Sequence, residues 1–193
     1  MSKEQIVARH REEVASSTPM RRLVLLRHAK AEPATSSDDA LRPLALRGRT
    51  QAAGLSAALV ALAAVPDVVL VSSALRTRQT WDLAKSGLNG RRDGAPRVVV
   101  TDSLYNARVG DVMDLVAELD DSARTVLVIG HEPTMAATAS FLAGPGSDDA
   151  ALAQVRVGVP TATYSMLETP AATPWSSWTR STAVLTHVGR PPG

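Results

Sequence analysis

Four short apolar runs, each lacking a polar residue on either face, constrain this chain more than any other feature. They are Leu23-Val24-Leu25-Leu26, Val68-Val69-Leu70-Val71, Val98-Val99-Val100 and Val126-Leu127-Val128-Ile129. A strand without a polar face must be covered on both sides, which is the condition of a parallel sheet between helix layers. Strands are therefore expected at 22–26, 67–71, 97–100 and 125–129. Helical spacing follows them at 47–64, 74–85, 110–119 and 133–142, with Pro133 in the first turn of the last. Strands alternating with helices imply right-handed crossovers and an α/β fold, a three-layer α/β/α sandwich.

The end of the chain changes character. Residues 161–167 and 178–188 are rich in Thr, Val and Trp and read as two strands forming an antiparallel edge. The sheet is then mixed but mostly parallel. Residues 88–96, with Asn89-Gly90 and Asp93-Gly94, and 144–149 read as loops. Residues 1–20 are charged and close on Ser16-Ser17-Thr18-Pro19. They are expected to be a solvated tail, a short helix or disordered, ahead of one domain over 21–193.

Composition narrows the function classes. Hydrophobic residues make up 45% but aromatic ones only 3%, so the core is built from Ala, Val and Leu. The net charge is +2, from scattered basic residues with few aromatics to stack on bases, which is no nucleic-acid footprint. The absence of cysteine excludes disulfides, thiolate metal sites and a cysteine nucleophile. There is no apolar run long enough to span a bilayer and no apolar leader at the N-terminus, so no membrane association is expected and a soluble cytoplasmic protein is.

Polar residues gather where such folds do chemistry, past the carboxyl ends of the strands. Arg27-His28 follows the first strand, Ser72-Ser73-Ala74-Leu75-Arg76 the second, and Gly130-His131-Glu132-Pro133 the fourth. A parallel sheet brings these ends to one edge. Two guanidinium groups suit the equatorial oxygens of a phosphoryl group. A neutral imidazole can attack phosphorus in line and form a phosphohistidine that water hydrolyses. No H-E-x-x-H spacing and no Walker-type glycine loop is present, so the charge must come from fixed cations.

Leu-Arg-His, the later Ser-x-x-x-Arg-x-x-Gln-Thr and Gly-His-x-Pro, in this order, resemble the histidine phosphatase superfamily of phosphoglycerate-mutase-like fold. The likeness is strongest to its small SixA-type phosphohistidine phosphatases and covers about residues 21–188. It implies His28 as the phosphorylated nucleophile, Arg27 and Arg76 as phosphate-binding arginines, and His131 as the second histidine on the phosphoryl group. Arg42-Pro43-Leu44, with Gly48 and Gln51, resembles the family's approach to its first helix. It implies no metal and no organic cofactor. The partner implied is a phosphohistidine protein or a small phosphoester.

This chain also departs from that pattern. Ala29 stands where the family often has Gly, Ala45 where Thr is common, and Ser73 where Pro is common. Mutase members carry a Glu in a Leu-x-Glu motif after the third strand, and here Leu104-Tyr105-Asn106 lacks it. Glu132 takes the position where another branch places an acidic Asp. It is either the general acid or a charge complementing a helix N-terminus. The alternatives to a SixA-like enzyme are a sugar-phosphate or nucleotide phosphatase, a mutase, or a non-catalytic phosphate-binding module. The remaining polar and aromatic residues have ordinary expected roles: Trp81 in the core, Trp175 and Trp178 over a sheet edge or turn, and His10 and His187 structural or solvated. Arg78 is expected to be solvated, and Asp38-Asp39 and Asp148-Asp149 to be loop charges.

Overall fold

The computed structural model describes residues 19–34, 38–88, 90 and 94–191. The tail expected at 1–20 lies outside them except for its last two residues, and so do His10, Asn89 and Asp93. Six strands form one sheet: β1 (Met20–Arg27), β2 (Val68–Ser72), β3 (Arg97–Thr101), β4 (Thr125–Gly130), β5 (Tyr164–Pro170) and β6 (Val184–Gly189). Their spatial order is β3-β2-β4-β1-β5-β6. The first four run parallel, while β5 pairs antiparallel to β1 and β6 antiparallel to β5. This is the mostly parallel mixed sheet expected from the apolar runs.

Five α-helices cover it: α1 (Leu46–Ala61), α2 (Leu75–Lys85), α3 (Val109–Ala117), α4 (Thr134–Leu142) and α5 (Asp149–Val157). Alternation along each strand divides the core in two. Val24, Leu26, Val69, Val71, Leu127 and Ile129 point toward α1 and α2, meeting Leu55, Leu59 and Trp81. Leu23, Leu25, Val68, Leu70, Val126 and Val128 point the other way, onto α3, α4 and α5. Each central strand is thus buried on both faces, which is why its sequence shows no polar alternation.

Four expectations change. The run Val98-Val99-Val100 is not covered on both sides: β3 stands at the edge of the sheet, with Val98 42% and Val100 52% exposed. The expected loop 144–149 runs directly into α5, which the sequence reading did not place. Asp148 caps this helix by accepting a hydrogen bond from Ala151 N at 2.8 Å, and Gly158, at φ 95°, ends it. Trp175 and Trp178 do not lie over an edge: both are core residues, with ring centroids 4.9 Å apart. Trp175 Nε1 donates to Ala123 O, and Arg21, ion-paired to Asp121, stacks on its ring. The strand expected at 178–188 consequently begins only at Val184, because Trp175–Ser177 is a 3-10 turn that sends the second indole inward. No helix among the described residues is long and apolar enough to cross a membrane.

Candidate active site

The strands set the positions of the two histidines. Arg27, the last residue of β1, lies opposite Gly130, the last residue of β4. The next residues, His28 and His131, therefore emerge side by side, with ring centroids 5.2 Å apart. The backbone around His28 is tied on every side. His28 N donates to Gly130 O at 3.0 Å, Ala29 N to Thr80 Oγ1 at 3.1 Å, and Ala162 N to both Arg27 O and His28 O. Ala29 is completely buried against Leu44, Ala52 and Ala162. A small side chain is what this packing needs, and alanine satisfies it.

The His28 ring lies in one orientation. Its Nδ1 is 2.8 Å from Ala29 O. A carbonyl only accepts, so Nδ1 carries the proton and Nε2 holds the free lone pair. His28 is 8% exposed. Burial, with Arg76, Arg27 and Arg42 nearby, pushes its pKa down to about 4. The imidazole is neutral at pH 7 and its lone pair is available.

The second histidine has the opposite tautomer. Arg76 Nη2 is 3.3 Å from His131 Nδ1, and a guanidinium only donates. His131 Nδ1 accepts, so Nε2–H donates to Ser72 Oγ at 2.8 Å. Burial first, then the neighbouring His28 and Arg76, lowers His131 to about 3. Ser72, the fully buried last residue of β2, was read in the sequence only as part of a motif; the structure makes it the anchor of this ring.

Helix α2 supplies the main cation. Arg76 is 5% exposed and sits in its first turn. Thr77 Oγ1 donates to Ser72 O and Thr80 Oγ1 to Arg76 O, so one helix braces both the Ser72 and the Ala29 segments. Arg27 Nη1 donates to Val159 O at 2.6 Å. The Nε atoms of Arg27 and Arg76 are buried with no hydrogen-bond partner among the described residues. Both arginines line, with His28 and His131, a cavity of about 370 Å³.

The outer wall of this cavity was missed by sequence reasoning. The 3-10 turn Asp39–Leu41 lays Asp39 across Arg76, whose Nη1 donates to Asp39 O at 2.7 Å and whose Nη2 pairs with Oδ2 at 3.0 Å. Arg42 grips Oδ1 through Nε at 2.9 Å and Nη2 at 2.8 Å, and Tyr105 Oη donates to Oδ2 at 2.8 Å. The Tyr105 hydrogen bond is the main reason the Asp39 carboxyl falls to about 2. Asp39 was read as a loop charge. The signal that could have found it is its place three residues before Arg42, which puts opposite charges on one turn.

Glu132 also lines the cavity, but its carboxylate is engaged by backbone: Oε1 accepts from Val159 N at 2.8 Å and Oε2 from Ala136 N at 3.4 Å, in the first turn of α4. Asn106, at the mutase-acid position, is exposed on the rim. Arg78 is exposed, and His187 stacks on Tyr164 away from the cavity. Among the described residues, no group of three His, Asp or Glu side chains gathers as a metal site.

Known proteins resemble this chain to different degrees. An uncharacterised protein of Mycobacterium tuberculosis is 39% identical over 129 residues, spanning 67% of this chain and 77% of the relative. A solved structure named as a candidate phosphohistidine phosphatase SixA, from Nakamurella multipartitia, matches with a TM-score of 0.75 and 32% identity, over 90% of this chain and 98% of that one. Its counterpart from Agrobacterium tumefaciens matches at 0.71 and 29%, over 89% and 98%. No protein-family model matches the chain. The resemblance first carried by three short motifs thus extends over nearly the whole fold, and the chain belongs to the histidine phosphatase superfamily, among its SixA-like members.

Proposed function

We propose that this protein is a phosphatase that transfers a phosphoryl group to His28 Nε2 and then to water, acting on a protein phosphohistidine or a phosphomonoester. The observation that carries this reading is the His28 tautomer. Nδ1–H is held by Ala29 O, so Nε2 keeps an oriented lone pair, and His28 lines one cavity with Arg27 and Arg76.

In this reading the phosphoryl oxygens are held by Arg27 and Arg76. His28 Nε2 attacks phosphorus from the side opposite the leaving group. The imidazolium that forms keeps its Nδ1 proton on Ala29 O. His131, its ring fixed by Ser72, accepts from Arg76 and so holds that guanidinium beside the phosphoryl group. Water then attacks phospho-His28. The bonding pair of the P–N bond returns to Nε2, and both water protons leave with inorganic phosphate. Fixed positive charge, in place before the substrate arrives, is the main stabilising element.

Glu132 serves in this reading as an anchor, joining the start of α4 to the segment at Val159, which in turn accepts from Arg27. It is not the proton donor.

The test is hydrolysis of p-nitrophenyl phosphate in excess chelator, with phosphoenzyme trapping by rapid quench. Wild type should turn over and give an acid-labile, alkali-stable phosphoenzyme, and His28→Ala should give neither. Turnover by His28→Ala at the wild-type rate refutes the assignment, and loss of activity with chelator refutes metal independence.

A further inference from the structure

We propose that Asp39 is the specificity-determining residue of this site, a carboxylate that meets the leaving group and favours one bearing an N–H donor over one departing as an oxyanion. The proposal rests on the phosphatase reading above and concerns the part of the pocket that reading leaves unused.

The argument starts from position. His28 is buried, while the Asp39 side chain is 47% exposed, so the cavity has a floor at the histidines and a wall at its mouth. In-line displacement places the leaving group opposite the nucleophile, toward the mouth. Asp39, Arg42 and Tyr105 stand in that wall, with Asn106 exposed on its rim. Arg42 is fully committed: Nε and Nη2 hold Asp39 Oδ1, and Nη1 donates to Glu32 O at 3.0 Å. The Tyr105 hydroxyl proton is directed at Asp39 Oδ2.

Asp39 has a bond to exchange. Its Oδ2 accepts from Arg76 Nη2, the donor that a phosphoryl oxygen also needs. When substrate binds, Arg76 turns to the phosphoryl group and Oδ2 loses one donor. Arg42 and Tyr105 still hold the carboxylate in place. An ionised acceptor is then left beside the leaving group.

That charge acts oppositely on two kinds of substrate. A phosphoimidazole protonated on the ring nitrogen not bonded to phosphorus can donate that N–H to Oδ2. His28 Nε2 forms its bond to phosphorus, the P–N bond of the substrate breaks, and the pair stays on the departing nitrogen. The second nitrogen keeps its proton, so neutral imidazole leaves and no proton transfer is required. In a phosphate ester the same step puts negative charge on oxygen beside a carboxylate, which is repulsive. One charge-assisted hydrogen bond gained or lost corresponds to roughly tenfold to a hundredfold in rate.

The experiment compares kcat/KM for phosphoimidazole and p-nitrophenyl phosphate in wild type, Asp39→Asn and Asp39→Glu, with circular dichroism to confirm folding. For Asp39→Asn the phosphoimidazole value should fall and the aryl phosphate value rise, lowering their ratio at least tenfold. Asp39→Glu, which keeps the charge, should hold the ratio within about threefold of wild type. A parallel fall for both substrates in Asp39→Asn, as a merely structural role predicts, overturns the proposal but not the phosphatase reading. Absence of turnover of either substrate by wild type overturns both.

Discussion

Replacing Gly48 by alanine tests whether helix α1 positions the nucleophile. Gly48 is in the first turn of α1, and a Cβ built there would lie 1.9 Å from Lys30 O and 2.8 Å from Lys30 C. These are backbone atoms, so no rotamer relieves the clash. Ordinary contact requires a shift of more than about 1 Å. The Lys30 segment resists it, because Lys30 O accepts from Ala45 N at 3.0 Å and Lys30 N donates to Gln51 Oε1 at 3.1 Å. Overpacking costs about 1–3 kcal/mol and each strained hydrogen bond about 1, against about 1 gained from alanine's helix propensity. The net loss is on the order of 2 kcal/mol, or about 4–8 °C in Tm for a chain of this size. The shift also reaches Ala29, whose carbonyl orients His28, and a misplacement of about 1 Å costs on the order of a hundredfold in kcat/KM. Gly110→Ala is the control: its Cβ would meet nothing within 4 Å, so it should gain about 0.5–1 kcal/mol. Calorimetry and aryl phosphate kinetics on the two variants decide the matter. If Gly48→Ala melts higher than wild type with its kcat/KM intact, the reasoning is wrong.

Two further predictions follow from titration and capping. His28 is held to about pKa 4, against about 6.5 in an unfolded chain, so between those pH values the unfolded state binds a proton that the folded state refuses. Its contribution is complete above about pH 6.5 and is lost as pH falls toward 4, on the order of 2 kcal/mol by pH 5. Urea midpoints at pH 7 and 5 should show a smaller acid loss for His28→Asn than for wild type, and an equal loss contradicts the assignment. Ala45 has N-cap geometry for α1, φ −67° and ψ 164°, but makes no side-chain cap. Ala45→Ser should add about 1 kcal/mol, read as a Tm rise of about 2–4 °C with unchanged aryl phosphate kinetics.

The central strands and four of the five helices were legible because burial on both faces leaves an unmistakable mark, a run such as Val126–Ile129 with nothing polar in it; β3 shows the same run although it is a half-exposed edge. Arg27, His28, Arg76 and His131 were legible because the strand ends fix where they must stand. Helix α5 was not, since its sequence, Asp149–Val157, buries only Ala151 and Val155 fully, with Leu152 partly buried beside them, and looks like loop on one side and spacer on the other. Its Asp148 cap and Gly158 stop were the readable signs. Asp39 and Tyr105 meet over a separation of 66 residues, and no local pattern announces such a pairing. Trp175 was misplaced for a similar reason: its partners, Arg21 and Ala123, lie at distant points of the chain.

The two imidazoles stand at the same level on neighbouring parallel strands, so the gap between them is a property of the sheet. Adjacent strands keep a spacing of about 4.8 Å whatever side chains they carry. Lengthening the connection at 31–45 alters the fittings around the pocket and leaves that gap alone. A single residue inserted within β1 or β4 does the reverse, reversing which face each side chain takes beyond it and separating the pair. The sheet thus works as a rigid jig with exchangeable parts bolted around it. Redesign aimed at new substrates belongs in the turn that carries Asp39 and Arg42, and any change of length in the two strands belongs to a different protein.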